Sequence, residues 1–202
     1  YVNTVIFRKM GKKRIFILAG HPDQNRLTTH FADAYETGAK AGGHEVVRLN
    51  LGSLRFDPIL HEGYEKIQTL EPDLLKVQEC IRWCEHFVLF YPSWWSSMPA
   101  LLKGMFERMW LPKFAFKFHK SGWWWKRLLT GRSATVFALS DSPPIFARLL
   151  FGDSTNEIKR GILWFAGFCP IRIKKIGPLK NISAARVKRL WRRFLHWGKR
   201  GY

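Results

Sequence analysis

Residues His86–Gly104 read HFVLFYPSWWSSMPALLKG. The stretch opens on a short, continuously apolar run, which suits a strand buried on both faces. It closes on PALLKG, where Pro99 stands at the first turn of a helix. Between them, Pro92 and Pro99 bracket two adjacent tryptophans, Trp94 and Trp95, and three serines. A strand that feeds a helix through one loop is half of a βαβ unit. The loop is where such a unit does chemistry, and large apolar rings there have two readings: they plug the core, or they line a flat slot. Neighbouring rings cannot easily face the same way, so at least one is expected outside the core.

The same alternation extends in both directions. RIFILAG (Arg14–Gly20) is a second apolar run, ending in glycine. LTTHFADAYETGAKAGG follows, with Leu27, Phe31, Ala34 and Tyr35 near helical spacing and Gly42–Gly43 as its stop. HEVVRLN reads as a strand, and PDLLKVQECIRWCE carries Leu74, Val77, Cys80, Ile81 and Cys84 on one helical stripe. Ser133–Leu139 and Ile171–Ile176 complete five strands, and SAARVKRLWRRFLHW closes as a helix capped by Ser183. Five strands alternating with helices predict an α/β fold: a doubly wound parallel sheet in the order 2-1-3-4-5. Ligands of such sheets bind beyond the carboxyl ends of the strands, at the switch point beside strands 1 and 3. The loops there are chemically unusual: GHPDQNRLTT after strand 1, YPSWWSSMP after strand 3, and SDSPPIF after strand 4. The turn before strand 2 is a plain AGG.

The chain has 202 residues, 47% of them hydrophobic, which suits one domain with a full core. That domain is expected to span 13–202. Residues 1–12 are expected to be a non-structural N-terminal extension, since MGKKRIFILAG from Met10 reads as a natural start. Three cysteines in no CxxC pair suggest reduced thiols and a cytoplasmic setting. No apolar run approaches the roughly 18 residues of a membrane span, and the order of charge and apolar residues at the start does not fit a signal peptide. The net charge is +19, and it is lopsided. Residues 1–85 hold 12 basic and 11 acidic side chains, whereas residues 86–202 hold 22 and 4. The second part therefore attracts anions: phosphorylated cofactors, nucleic acid or an acidic membrane face.

The first loop opens a helix whose free N–H groups and dipole can bind phosphate. Thr28 and Thr29 could add hydroxyls, Arg26 a full charge, and His21 and Asn25 further hydrogen bonds. An ordinary helix cap with a polar turn is the plain alternative. Neither GxxxxGK[ST] nor GxGxxG is present, which argues against a triphosphate P-loop and a Rossmann dinucleotide grip. The third-strand loop sets Trp94 and Trp95 among Ser93, Ser96 and Ser97, the materials of a slot for a planar heteroaromatic. A phosphate at one end and a flat ring at the other describe flavin mononucleotide (FMN).

FILAGHPDQNRLTTHFADAYETGAKAGGHEVVRLNL, then FDPIL, then YPSWWSSMPALLKGMFERMWLPKFAFKF resemble the NAD(P)H:quinone oxidoreductase family, a flavodoxin-like group that includes DT-diaphorase, the drug modulators and the potassium-efflux accessory proteins. The match runs from about Lys13 to about Pro178. The resemblance implies a flavodoxin-like sheet carrying FMN or FAD, a homodimer, and hydride transfer from NADPH or NADH through the flavin to a quinone-like acceptor. It implies that His21 lies near the flavin phosphate. Arg26, Leu27 and Thr28 fall where the family usually has Ser-Phe-Asn, so Arg26 is a departure. Pro92, Ser93, Trp94, Trp95 and Ser96 match the segment along the flavin ring, with Trp95 expected to carry more of the contact than Trp94. Ser140, Asp141 and Ser142 fall where relatives have a Thr-Thr-Gly-Gly-like loop; the glycine pair is missing here. The Tyr and His that DT-diaphorase-like enzymes carry after strand 4 are missing too. That leaves the flavin chemistry intact and points to a different acceptor. No long tail follows the last helix to hold an adenine, which favours FMN over FAD.

The same family suggests an alternative: a flavin-binding accessory subunit of a membrane transporter, resting by its charge on an anionic membrane face. A nucleic-acid binder is disfavoured, because no recognition module is present and the aromatic residues cluster in loops. The scattered histidines His61, His86, His119 and His196 have no metal-ligand spacing. Trp123–Arg127, WWWKR, could form a lid, a dimer contact or a membrane-touching patch. In the last helix Val187, Leu190, Trp191 and Phe194 form a packing stripe, opposite a face of arginines and Lys188.

Overall fold

The computed structural model describes residues 11–119, 122 and 124–202, with the backbone alone at 147 and 148. Most of the expected N-terminal extension and Trp123 lie outside the described residues. Five strands form a parallel sheet: β1 (Arg14–Ala19), β2 (Glu45–Asn50), β3 (His86–Pro92), β6 (Ser133–Leu139) and β7 (Ile171–Ile176). Their order is β2-β1-β3-β6-β7, the doubly wound order expected from the alternation. In the middle of the sheet Ile17 pairs with Arg48 on one side and Val88 on the other. The central strands are buried along their length because both faces are covered, which is why they read as unbroken apolar runs.

Helices α1 (Leu27–Ala41) and α5 (Ala184–Arg200) cover one face. Phe31 of α1 stacks on Phe194 of α5 with ring centroids 4.8 Å apart, over the stacked pair Phe90–Phe137 of the sheet. Fully burying each such ring contributes roughly 1.5–3 kcal/mol. Leu190 and Phe194 of the α5 stripe are buried and Val187 and Trp191 pack beside them, while Ser183 caps the helix by accepting from the Arg186 N–H. Helices α2 (Pro72–Trp83) and α3 (Ala100–Met109) cover the other face, and the expected α2 stripe is buried.

Three elements go beyond the strand–helix alternation. A short hairpin pairs β4 (Phe116–Phe118) with β5 (Trp125–Arg127). Helix α4 (Pro144–Phe151) follows β6, and then an eight-residue π-helix, Glu157–Trp164. The hairpin lies on the π-helix: Trp125 stacks on Phe165 at 4.4 Å and donates from Nε1 to the Phe165 carbonyl. So Trp125 is occupied within its own chain, whereas Trp124 is exposed.

The FDP motif has a structural role. Arg108 of α3 is fully buried; its guanidinium forks onto Glu71 (3.1 and 3.0 Å) and donates to the carbonyls of Asp57 and Thr69. Glu71 also accepts from the Asp57 N–H. Burial pushes the Glu71 carboxyl up, but that N–H and the guanidinium together hold it below its ordinary value. The Asp57 loop is thus clamped to α3. A glycine is needed beside it, because a Cβ at Gly104 would lie 2.4 Å from the Pro58 carbonyl oxygen.

Candidate functional site

The carboxyl ends of β1, β3 and β6 open onto two adjoining cavities of about 710 and 410 Å³ that share Ser93, Ser140 and Ser142. Both fall in the size range of small-molecule sites. Gly20 starts the first wall. Its N–H donates to the Phe90 carbonyl at 2.6 Å, and a Cβ there would crowd that carbonyl oxygen at 2.9 Å. Only glycine lets the strand end turn this close to β3.

The larger cavity is lined by His21, Arg26, Leu27, Thr28, Pro92, Ser93, Trp94, Ser140, Asp141 and Ser142, together with Pro22, Asp23, Leu139 and Leu179. Ten of the expected residues therefore meet in one place. His21 Nδ1 accepts from the Asp23 N–H at 2.8 Å, which leaves Nε2 to carry the proton in the neutral ring. Burial, opposed by the Asp23 charge and helped by Arg26, keeps the imidazole below its ordinary pKa, so it stays a neutral donor near pH 7. Trp94 packs edge-on against it at 5.3 Å. Arg26 stands at the N-cap of α1 but makes no side-chain cap, and Thr28 is buried in the first turn. The earliest N–H groups of α1 point at this cavity's end of the helix without a capping side chain. Arg26 departs from the expected free cation: its Nε is paired with Asp23 at 2.6 Å, which offsets its charge. Asn25 is exposed, its N–H bonded to Asp23, and lines neither cavity.

The smaller cavity is lined by Trp95, Ser96, Phe151, Ser154 and Lys175, with Ala138, Pro144 and the three shared serines. Trp94 and Ser97 exchange both backbone hydrogen bonds, at 2.9 and 3.0 Å, so Trp95 and Ser96 form a two-residue turn. Both have positive φ, 50° and 60°, the geometry of a type I′ turn that normally takes Asn-Gly. Holding two ordinary side chains there costs on the order of 1 kcal/mol each or more. The result is that Trp95 stands fully exposed and Trp94 is 45% exposed, so neither ring plugs the core. The turn is braced by Ser97 Oγ donating to Glu157 of the π-helix at 2.8 Å. Lys175 and Asp153 pair at 2.8 Å on the far wall, and the ammonium with the Thr155 hydroxyl holds the Asp153 carboxyl far below its usual range. Asp23, Lys175, Phe151 and Ser154 were not among the residues the sequence pointed to. Lys175 had one signal, its place just before the carboxyl end of the fifth strand; Phe151 and Ser154 lie in a stretch without periodicity.

Across the shared serines, Ser140 Oγ accepts from the Ser142 N–H at 3.0 Å and the Ser140 carbonyl accepts from Leu179. The Ser140 side chain closes this loop, which lacks the glycine pair of the family it resembles. Among the described residues there is no cluster of His, Cys, Asp and Glu able to hold a metal ion, and no helix long and apolar enough to cross a membrane.

A doubly wound sheet with a donor-rich helix start and an aromatic loop at its switch point defines the class of open α/β proteins that bind a ligand across that crevice. The chain belongs to the family described as having a flavodoxin-like fold, whose model matches residues 13–193. It is similar to the Escherichia coli (strain K12) protein YcaK, described as an uncharacterized NAD(P)H oxidoreductase, at 29% identity over 50% of this chain and 54% of that one. It is also similar to NAD(P)H dehydrogenase (quinone) 1 of Rattus norvegicus, at 24% identity over 92% of this chain and 77% of the relative. Against most of the curated relatives reported the chain spans about half their length. The fold is shared with an FMN-dependent NADH-azoreductase from Bacillus anthracis, solved in complex with FMN, at 17% identity over 93% of this chain and 98% of that one, with a TM-score of 0.69.

Proposed function

We propose that this protein is a flavin-dependent NAD(P)H oxidoreductase that passes hydride from NADPH or NADH, through bound FMN, to a quinone or similar electrophile. The observation that carries this reading is the joined pair of cavities, with an uncapped helix start at one end and a rigid, exposed tryptophan turn at the other. The donor set fits a phosphorylated flavin. The first N–H groups of α1, the Thr28 hydroxyl and the His21 Nε2–H would hold the phosphate end. Pro92–Ser96 and the Ser140–Ser142 loop would flank the ring. The flavin, when bound, supplies the two-electron chemistry.

The chain's own part is to bind, orient and shield. His21 donates as a neutral group, so it adds a hydrogen bond without a second positive charge beside Arg26. The Trp95–Ser96 turn fixes where the Trp95 backbone stands at the cavity and leaves its ring exposed for stacking. Lys175 is paired with Asp153 at the wall of the smaller cavity as Arg26 is with Asp23 at the larger, so the charge of each cation is offset. Nothing in the site favours the transporter-accessory alternative. The direct test is spectroscopic: protein loaded with FMN should be bleached anaerobically by NADPH or NADH and recover its colour on adding a quinone. Loaded protein that stays yellow with both donors would overturn the reading.

A further inference from the structure

Strand β7 closes one side of the sheet. It pairs with β6, and among the described residues no strand lies on its outer edge. The Ala134 N–H donates to the Pro170 carbonyl and the Ser140 N–H to the Ile176 carbonyl. The even-numbered residues of β7 therefore bond to β6, and the main-chain groups of Ile171 and Ile173 point outward. Such an edge is a template for a further strand.

The two faces beside the edge differ. On one, Ile171 and Ile173 are partly buried against the core. On the other, Arg172 and Lys174 meet the end of α5. Arg172 stands over the Tyr202 ring at 5.4 Å, with Arg200 at 5.2 Å from the same ring. Lys174 stands over the Trp197 ring at 4.5 Å, with Arg193 at 5.2 Å. The Tyr202 N–H donates to the Trp197 carbonyl, which joins the two stacks into one surface. Among the described residues no carboxylate pairs with these four cations, whereas the next residue, Lys175, is paired with Asp153. Burial, then the charges of Arg193 and Arg172, hold the Lys174 ammonium below its ordinary pKa. The cations repel one another, and an anion laid across them relieves that repulsion.

The chemistry of the surface selects among anionic partners. A bilayer needs exposed large apolar side chains, and neither β7 nor α5 carries one. Unpaired nucleic acid needs free ring faces for its bases. These rings already stack cations, and Trp197 also stacks on Phe137 at 5.4 Å. An extended peptide meets both demands of the edge: its main chain continues the ladder, and its alternate side chains fall on the two faces. Neighbouring strands lie about 4.8 Å apart. Carboxylates on one face would reach Arg172 and Lys174, and apolar side chains on the other would extend the row of Ile171 and Ile173.

We infer that the outer edge of β7 binds an extended acidic segment of a protein partner, in which carboxylate and apolar residues alternate. Residues 171–174 line neither cavity, so the inference goes beyond the flavin reading and does not depend on it.

The test uses the full chain and a labelled peptide of alternating Glu and Val, about ten residues long, followed by fluorescence anisotropy. Two further versions carry N-methyl groups, one on every Glu and the other on every Val. Residues of one kind send their N–H groups toward β7 and residues of the other kind send them away. One version should therefore bind at least about tenfold more weakly than the parent peptide, and the other nearly as well. Arg172→Glu with Lys174→Glu should weaken binding of the parent about tenfold or more. In the unaltered protein, the Ile171 and Ile173 amides should become protected from hydrogen exchange when the peptide is added. Equal binding by the two methylated peptides, or unchanged exchange at Ile171 and Ile173, would reduce the contact to plain charge attraction and overturn the proposal. Tighter binding of an oligothymidylate than of the parent peptide, lost in the same double variant, would assign the surface to nucleic acid instead.

Discussion

The two cavities at the carboxyl end of the sheet share three serines and are built in opposite ways. In the larger one several polar side chains are already held by a neighbour, His21 by Asp23, Arg26 by Asp23 and Ser142 by Ser140, beside a helix start that no side chain caps. In the smaller one the walls are apolar, exposed and partly strained: Trp95 stands on a positive-φ turn and Phe151 ends an uncovered helix. One end holds its side chains in place around uncapped helix donors, and the other presents exposed apolar surface. A phosphate needs fixed donors, whereas a planar ring and an apolar acceptor need exposed faces, so the asymmetry follows from the two ends of the proposed cofactor.

The largest effect should come from the Arg108 clamp, which lines neither cavity, and should not tell them apart. Arg108→Leu leaves Glu71 and two carbonyls without their buried cation, and should cost roughly 3–5 kcal/mol in urea unfolding. A loss under about 1 kcal/mol would mean that the clamp is solvated. The sharpest contrast comes next. Trp95→Ala should weaken FMN binding by roughly 1–3 kcal/mol, the range for loss of an aromatic stacking partner. Trp94→Ala removes the ring packed on His21 in the larger cavity and should weaken FMN binding less, through the phosphate end. Flavin fluorescence titration reads both, and equal affinity in the two variants would erase the distinction between the cavities.

A third prediction concerns the opposite end of the sheet, as a control far from either cavity. Burial, reinforced by Lys13 and Arg172, pushes the His86 imidazole down to about 3. The unfolded chain takes up this proton near pH 6.5 and the folded one does not. Stability should therefore be full above that pH and fall as pH drops from 6.5 toward 3, by about 1.4 kcal/mol per pH unit for this one group. His86→Gln should remove about one proton's worth of that slope between roughly pH 6 and 5. An unchanged slope would show that His86 titrates normally. The smallest effect is local. Ser96→Gly relieves one positive φ and should raise stability by up to about 1 kcal/mol, with a modest loss of FMN affinity as the turn loosens. Destabilisation would show that the Ser96 side chain holds the turn.

The sheet and the site's address were legible because they rest on local signals. Continuous apolar runs such as Phe16–Leu18 and Phe87–Phe90 belong to buried parallel strands, and Pro92 and Pro99 mark where the third one ends and α3 begins. The crevice then follows from the strand order, and ten of the expected residues meet there. What stayed hidden lacked a local period. Helix α4 is apolar almost throughout, so it shows no stripe, and a π-helix does not repeat at 3.6 residues. Three-residue strands at Phe116–Phe118 and Trp125–Arg127 are too short to alternate visibly. Arg108 looks like any helix-surface cation, since its partner Glu71 is 37 residues away and the Asp57 carbonyl 51. The Asp23 pairing that offsets Arg26 is likewise a matter of side-chain direction, which residue spacing does not encode.

The central claim, that the joined cavities hold FMN, is tested most directly by releasing the cofactor from purified protein with heat and weighing it. The account predicts FMN at one per chain, or uptake of one equivalent of added FMN by colourless protein. A chain that releases no flavin and takes up none would contradict it.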